Sequence, residues 1–468
     1  MAQFADLAAR APQRPSGALL AEARASMALA VPMALANLMQ MAVYAVDVIF
    51  VARLGQKALA ASSLGMAIFA LLVWSLFGLT GAVAPLVAAE MGARQHAMRA
   101  VRRSTRMALW LAVGLGAGAM LVAGQGRAIL LSTGQQADIA TQAGAFLDLL
   151  RWAMVPMLIA GVLRNIVSAL GRPVFATIIT ALAIASNAAG NYALVFGHWG
   201  LPAMGLAGSA VSNIVTAVAM MLAYMAIIHA DPRLRRFHLL GRWWRADWAR
   251  MRAILRVGAP IAGTILAEGG LFNAAALLMG RIGETELAAH TLALQIAAFA
   301  FQVPMGLGQA AAIRVGYHYG AGDRAGIARA GQCALVIGVM LAMVSSAIMA
   351  FWPRLALSAY IDVTAAERAA MVALAVRYLT VAAAFQLADA TQAIFAGALR
   401  GLQDTRWPMG IAIAGYWLPG FGLAAGLGLF TPMGGFGVWI GLAVGLLVVA
   451  VLLGWRWGRR SALGLLPG

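Results

Sequence analysis

Apolar residues run along this chain in long blocks, and charged or turn residues punctuate the blocks. Twelve blocks stand out, at about 27 to 52, 60 to 88, 105 to 124, 144 to 169, 174 to 197, 204 to 229, 257 to 280, 287 to 313, 331 to 351, 373 to 399, 408 to 429 and 435 to 457. At 1.5 Å rise per residue each is long enough to cross a hydrocarbon core of about 30 Å as a helix. A β-barrel would show short alternating segments instead. The pattern predicts an all-α polytopic membrane protein.

The two halves repeat. Residues from Val31 align without a gap on residues from Ala259: Pro32 meets Pro260, Arg53 meets Arg281 and Gly55 meets Gly283, at an offset of 228. Six spans separate equivalents, an even number, so the halves share one orientation. This predicts two six-helix bundles related by a parallel pseudo-two-fold axis along the membrane normal, an arrangement that places substrate near the midplane.

Composition agrees: 63% of residues are hydrophobic and 11% charged. The net charge of +18 would suggest nucleic acid in a soluble protein, but the arginines crowd alternate loops, as the positive-inside rule requires. Arg94 to Arg106, Arg233 to Arg252 and Arg456 to Arg460 mark one side, while Asp138, Asp148, Glu284, Glu286, Asp362 and Glu367 mark the other. Both termini are therefore expected in the cytoplasm, with no nucleic-acid partner. The predicted organisation is a cytoplasmic N-terminal segment (1–26, without signal-peptide character), an amino lobe (27–229), a cytoplasmic linker (230–256), a carboxyl lobe (257–457) and a cytoplasmic tail (458–468). Trp243, Trp244 and Trp248 among arginines predict a linker helix lying at headgroup level. Cys333 reads as a small core residue, and the six scattered histidines form no metal cluster in the sequence.

Sixteen carboxylates are present; thirteen fall in loops, in the tails or at span edges, and three fall inside spans: Asp47, Glu268 and Asp389. A carboxylate at membrane depth costs on the order of 2.5 to 3.5 kcal/mol on insertion scales and marks a functional site by default. No lysine or arginine is expected at that depth to pair them. Under the repeat Asp47 meets Ala275 and Glu268 meets Gln40, so the halves differ at their charges. Unpaired and desolvated, such acids hold a proton or attract a cation, and a charge moving through the membrane potential can drive other cargo outward. Asn187 and Asn191, four residues apart on one helix face, are candidate partners of Asp47 for Na⁺ or for a hydrogen-bond net, although interhelical hydrogen bonding alone would also account for them. Pro32 is a candidate bend in the helix that carries Asp47. No cofactor or resident metal is expected beyond a coupling ion.

The stretches FVARLGQKALAA, SALGRPVFATII, SNAAGNYALVFGHWGLPAMGLAGSA, ALRGLQDTRWPM and GGFGVWIG, in this order, resemble the multidrug and toxic compound extrusion family, in its bacterial NorM-like branch. The resemblance implies a secondary active transporter of the bacterial inner membrane, not an enzyme, expected as a monomer. It implies export of amphipathic, often cationic drugs in exchange for Na⁺ or H⁺, by alternating access at a cleft between the lobes. It assigns Asp47, Asn187 and Asn191 to an amino-lobe cation or proton site, and Glu268 and Asp389 to the carboxyl-lobe acids. Gln40, Phe385 and the three acids become substrate-cavity candidates. Phe385 departs from the pattern, since some relatives are expected to carry a tyrosine there. The rival reading, a lipid-linked precursor flippase of the same superfamily, would call for basic residues lining the cavity to hold pyrophosphate.

Overall fold

In lipid every backbone amide must find its partner within its own segment, so each long apolar run folds as a helix. The computed structural model describes residues 15–93, 97–241 and 243–467. Among them twelve helices are long and apolar enough to cross a membrane. They are α1 (Gly17–Ala52), α2 (Gln56–Gly92), α3 (Ala97–Ala123), α4 (Ala137–Ala169), α5 (Val174–Phe196) and α6 (Leu206–Ala230), then α7 (Trp248–Ile282), α8 (Glu284–Gly320), α9 (Arg324–Phe351), α10 (Ala366–Gly401), α11 (Arg406–Phe430) and α12 (Gly435–Gly458). No strand occurs among the described residues. Number and order match the hydropathy pattern.

Several helices extend well past their apolar blocks. α7 begins at Trp248 although its apolar run starts near residue 257, and α8 continues to Gly320 past Arg314 and His318. Polar residues end a hydropathy block without ending a helix. The linker differs from expectation in the opposite sense. Asp231 caps a single turn, Pro232–Arg235, and His238 then adopts a left-handed backbone (φ 46°) that stops further helix. Trp243 and Trp244 consequently lie in turns, and Trp248 opens α7.

Among the described residues, Leu35–Ala262 form one compact unit, while α1 up to Ala34 and the chain from Gly263 onward form the other. The divisions fall inside α1 and α7, each two residues past the equivalent prolines Pro32 and Pro260. Both helices remain continuous through their prolines.

The part of α7 before its division is fastened inside the first unit, and the part of α1 before its division inside the second. In the first unit Gly258 of α7 lies against the Leu79 backbone of α2, where a Cβ would collide with the carbonyl. In the second, Gly306 of α8 lies against the Ala34 backbone of α1, where a Cβ would also collide. Ion pairs reinforce both contacts. Arg250 of α7 pairs with Glu90 of α2, which also accepts a hydrogen bond from Ser104 at 2.6 Å. Glu22 of α1 accepts two hydrogen bonds from Arg314 of α8, with Nε at 2.8 Å, and lies 3.2 Å from His318 Nε2. The 228-residue offset carries Glu22 onto Arg250 and Glu90 onto His318. Glu22 and Arg250 thus occupy equivalent places with opposite charge, while Arg314, the principal partner of Glu22, maps onto Leu86.

Candidate functional site

Asp47 lies five residues before the end of α1 and is buried. A one-turn spacing on α5 puts Asn187 and Asn191 on one face, and both meet the carboxylate. Asn187 Nδ2 donates to Asp47 Oδ1 at 3.1 Å and Asn191 Nδ2 donates to the same oxygen at 2.8 Å. A third donor comes from α6: Asn213 Nδ2 reaches Oδ2 at 2.9 Å. Ser212, beside it, donates to the Asn187 carbonyl at 3.0 Å and ties α6 to α5. Gly190 makes room for this contact, because a Cβ there would strike the Ser212 hydroxyl.

Three N–H groups converging on one carboxylate satisfy its negative charge without a basic partner. No arginine or lysine pairs with Asp47 among the described residues. Asn191 Oδ1 is buried with no hydrogen-bond partner. Turning the Asn191 amide would exchange its donor for this acceptor, so the same side chain suits a bare carboxylate or a bound cation. Of these residues the sequence singled out three and missed Asn213, which lies on a separate helix with no spacing cue.

The second unit brings its two acids to one amide. Gln392 on α10 lies one turn from Asp389, and its Nε2 stands 3.5 Å from Asp389 Oδ1 and 3.4 Å from Glu268 Oε1. Tyr416 of α11 donates its hydroxyl to Gln392 Oε1. Tyr416 opens a π-helical turn, Tyr416–Phe421, that contains Pro419; such turns recur at functional sites. Two carboxylates sharing one neutral amide repel each other, and a single proton or cation between them relieves the repulsion. Neither Gln392 nor Tyr416 was evident beforehand, since each reads in sequence as an ordinary span residue.

The remaining candidates fall elsewhere. Gln40 is half-buried on α1, two turns before Asp47, with no polar partner among the described residues. Phe385 is buried in the second unit's apolar core, stacked on Trp439 at 5.5 Å between centroids, and Trp439 stacks in turn on Tyr378. Its ring is committed to packing. Pro32 sits inside α1, remote in sequence from the acid. The expectation of no arginine inside the spans is corrected at Arg164, whereas Arg400 bounds its span. Arg164 lies five residues inside the end of α4, and Arg400 lies near the end of α10, from where its charge acts on Glu268. A lone charge in a long apolar run hardly changes its average hydropathy, which is why Arg164 passed unnoticed.

Twelve helices long and apolar enough to cross a membrane, with buried carboxylates held by amides, define a polytopic membrane protein of the transporter class. The particular family follows from comparison. The MatE family model matches residues 32–193 and again residues 260–425, two matches whose starts differ by the same 228 residues as the internal repeat. The chain belongs to the MatE family. It is 44% identical to the probable multidrug resistance protein NorM of Mesorhizobium japonicum over 456 residues, covering 97% of both chains. It is 36% identical to the multidrug resistance protein NorM of Burkholderia vietnamiensis, covering 93% of each. In fold it is similar to the eukaryotic MATE transporter AtDTX14, with a TM-score of 0.84 at 23% identity over 95% of this chain and 98% of that one. It is also similar to a MATE protein solved in a bent conformation, with a TM-score of 0.83 at 20% identity, covering 95% and 96%.

Proposed function

We propose that this protein is a multidrug efflux transporter that exports amphipathic, often cationic compounds by antiport against Na⁺ or H⁺. The relatives named as multidrug resistance proteins support the efflux reading. The observation that carries the coupling reading is Asp47, buried at membrane depth and held by three asparagine amides rather than by a basic side chain. An acid so placed takes up a cation or proton and releases it when its surroundings change. Glu268 and Asp389, sharing Gln392, form a second place where one positive charge is taken up. Alternating access, with Pro32 as a bending point in α1, links these events to export. The inner membrane with both termini in the cytoplasm fits the arginine-rich loops.

The test is Asp47→Asn in cells lacking other pumps, with membrane expression measured in parallel. Ethidium export should fall to background at undiminished expression. Full export by the mutant would remove the central role of this acid. Dye transport in proteoliposomes with Na⁺ and H⁺ gradients imposed separately identifies the ion, and no response to either gradient would overturn antiport.

A further inference from the structure

Several arginines in the first unit pair with carboxylates. Arg103 pairs with Asp247, Arg172 with Asp231 at 2.9 Å, and Arg250 with Glu90. Arg164 is different. It is half-buried on α4, and its Nη2 donates at 2.6 Å to a neutral acceptor, Asn37 Oδ1 of α1. No carboxylate among the described residues pairs with it. One further donor adjoins this guanidinium, and another lies within electrostatic range of it. Asn37 Nδ2 is buried without an acceptor, and the hydroxyl of the fully buried Tyr224 of α6, near enough for electrostatic interaction with Arg164, has no partner either.

The local inventory is therefore one full positive charge with one of its N–H groups bonded to Asn37 Oδ1, an amide N–H₂ and a phenol O–H, so donors outnumber acceptors among the described residues even with the phenol oxygen counted as an acceptor. Donors in excess around a desolvated guanidinium match the chemistry of an oxyanion, which accepts several hydrogen bonds and cancels the charge. We propose that Arg164, Asn37 and Tyr224 form an anion-binding site for a carboxylate or phosphate group. The group belongs either to an amphipathic ligand that carries both charges or to an anionic lipid headgroup. This site is separate from Asp47, and it extends the ligand range of the first unit to compounds with an acidic group.

Binding at equilibrium tests the site with no ion gradient, so the outcome does not depend on antiport. The full-length protein in phosphatidylcholine nanodiscs is titrated with a rhodamine bearing a free carboxylate and with its ethyl ester. Fluorescence polarisation reads binding, and native mass spectrometry counts retained phosphatidylglycerol when that lipid is included. Arg164→Gln should weaken binding of the acid dye by about tenfold or more, the loss of one charge-assisted contact, and leave the ester unchanged. Alternatively it should abolish retention of phosphatidylglycerol, which assigns the oxyanion to lipid. A second variant, Asn37→Asp, places an internal carboxylate against Arg164 and keeps the charges balanced. It should fold and show the same selective loss. Acid dye and lipid both binding these two folded variants as they bind the unmodified protein would overturn the site.

Discussion

Removing the charge of Glu22 should unfold the protein at markedly lower temperature, although this residue is remote from the acids proposed to carry the coupling ion. Glu22 and Arg314 are each 5 to 6% exposed, and the carboxylate receives both guanidinium hydrogen bonds with His318 close by. Glu22→Gln keeps the shape but leaves the Arg314 cation buried and uncompensated, with the new amide N–H₂ turned toward another donor. Breaking one side of a buried pair costs about 3 to 5 kcal/mol, and the retained carbonyl puts this case near 3 kcal/mol. Lys57 and Asp138 provide the internal control, because their side chains are 76% and 73% exposed at 3.3 Å, where a pair contributes about 0 to 1 kcal/mol. Replacing both members, as Glu22→Met with Arg314→Leu, removes the stranded charge and should recover most of the loss. The assay is thermal unfolding of the purified full-length protein followed by tryptophan fluorescence. A Glu22→Gln midpoint no lower than that of Lys57→Ala would refute the reasoning, as would a double variant less stable than Glu22→Gln.

Further outcomes follow from the same geometry. Asn213→Ala should reduce gradient-driven dye export more than Asn187→Ala, since Oδ2 of Asp47 loses its one donor whereas Oδ1 keeps Asn191; equal effects would count against the third donor. Gln392→Leu takes away the amide shared by Glu268 and Asp389 and should lower export, while Tyr416→Phe, which removes one neutral hydrogen bond of about 1 kcal/mol, should lower it less. The order of the two is read from transport rates in proteoliposomes. Asp247, just before α7, is pushed upward by partial burial, but hydrogen bonds from Arg103 and the Arg250 amide outweigh this and hold it below the ordinary carboxylate range. A depressed folded value means that its contribution is present above about pH 4 and lost as pH falls through that value. Unfolding midpoints of the unmodified protein and Asp247→Asn should therefore differ at pH 7 and converge on acidification.

The spans were legible because lipid imposes a length and a composition on every crossing segment, and the repeat was legible because a constant offset survives in Pro32 and Pro260, Arg53 and Arg281. The Asp47 site was half legible. Asn187 and Asn191 declare themselves by a one-turn spacing, a property of a single helix, whereas Asn213 and Tyr416 join their sites only through packing between helices. Arg164 lay hidden in PMLIAGVLRNIVSAL, where one charge among apolar residues leaves the average almost untouched. The linker was misread for the opposite reason. Its tryptophans and arginines fit an interfacial helix by composition, but His238 holds a backbone conformation that composition does not report.

The division of α1 at Ala34 and of α7 at Ala262 has a consequence for biogenesis. Ribosomal synthesis delivers Glu22 nearly three hundred residues before Arg314, the residue that secures it, so the start of α1 waits while the whole first half is made. The first unit is equally unfinished until Arg250 arrives and meets Glu90. Each unit is completed by a segment that the other half of the gene encodes. Two halves of this chain made as separate polypeptides would each lack a helix segment, and they should accumulate only when expressed together. Had duplication kept the charges identical, Glu22 would have a glutamate copy at residue 250, facing Glu90. The reversed polarity lets each unit distinguish the helix it must receive from the one it gives away.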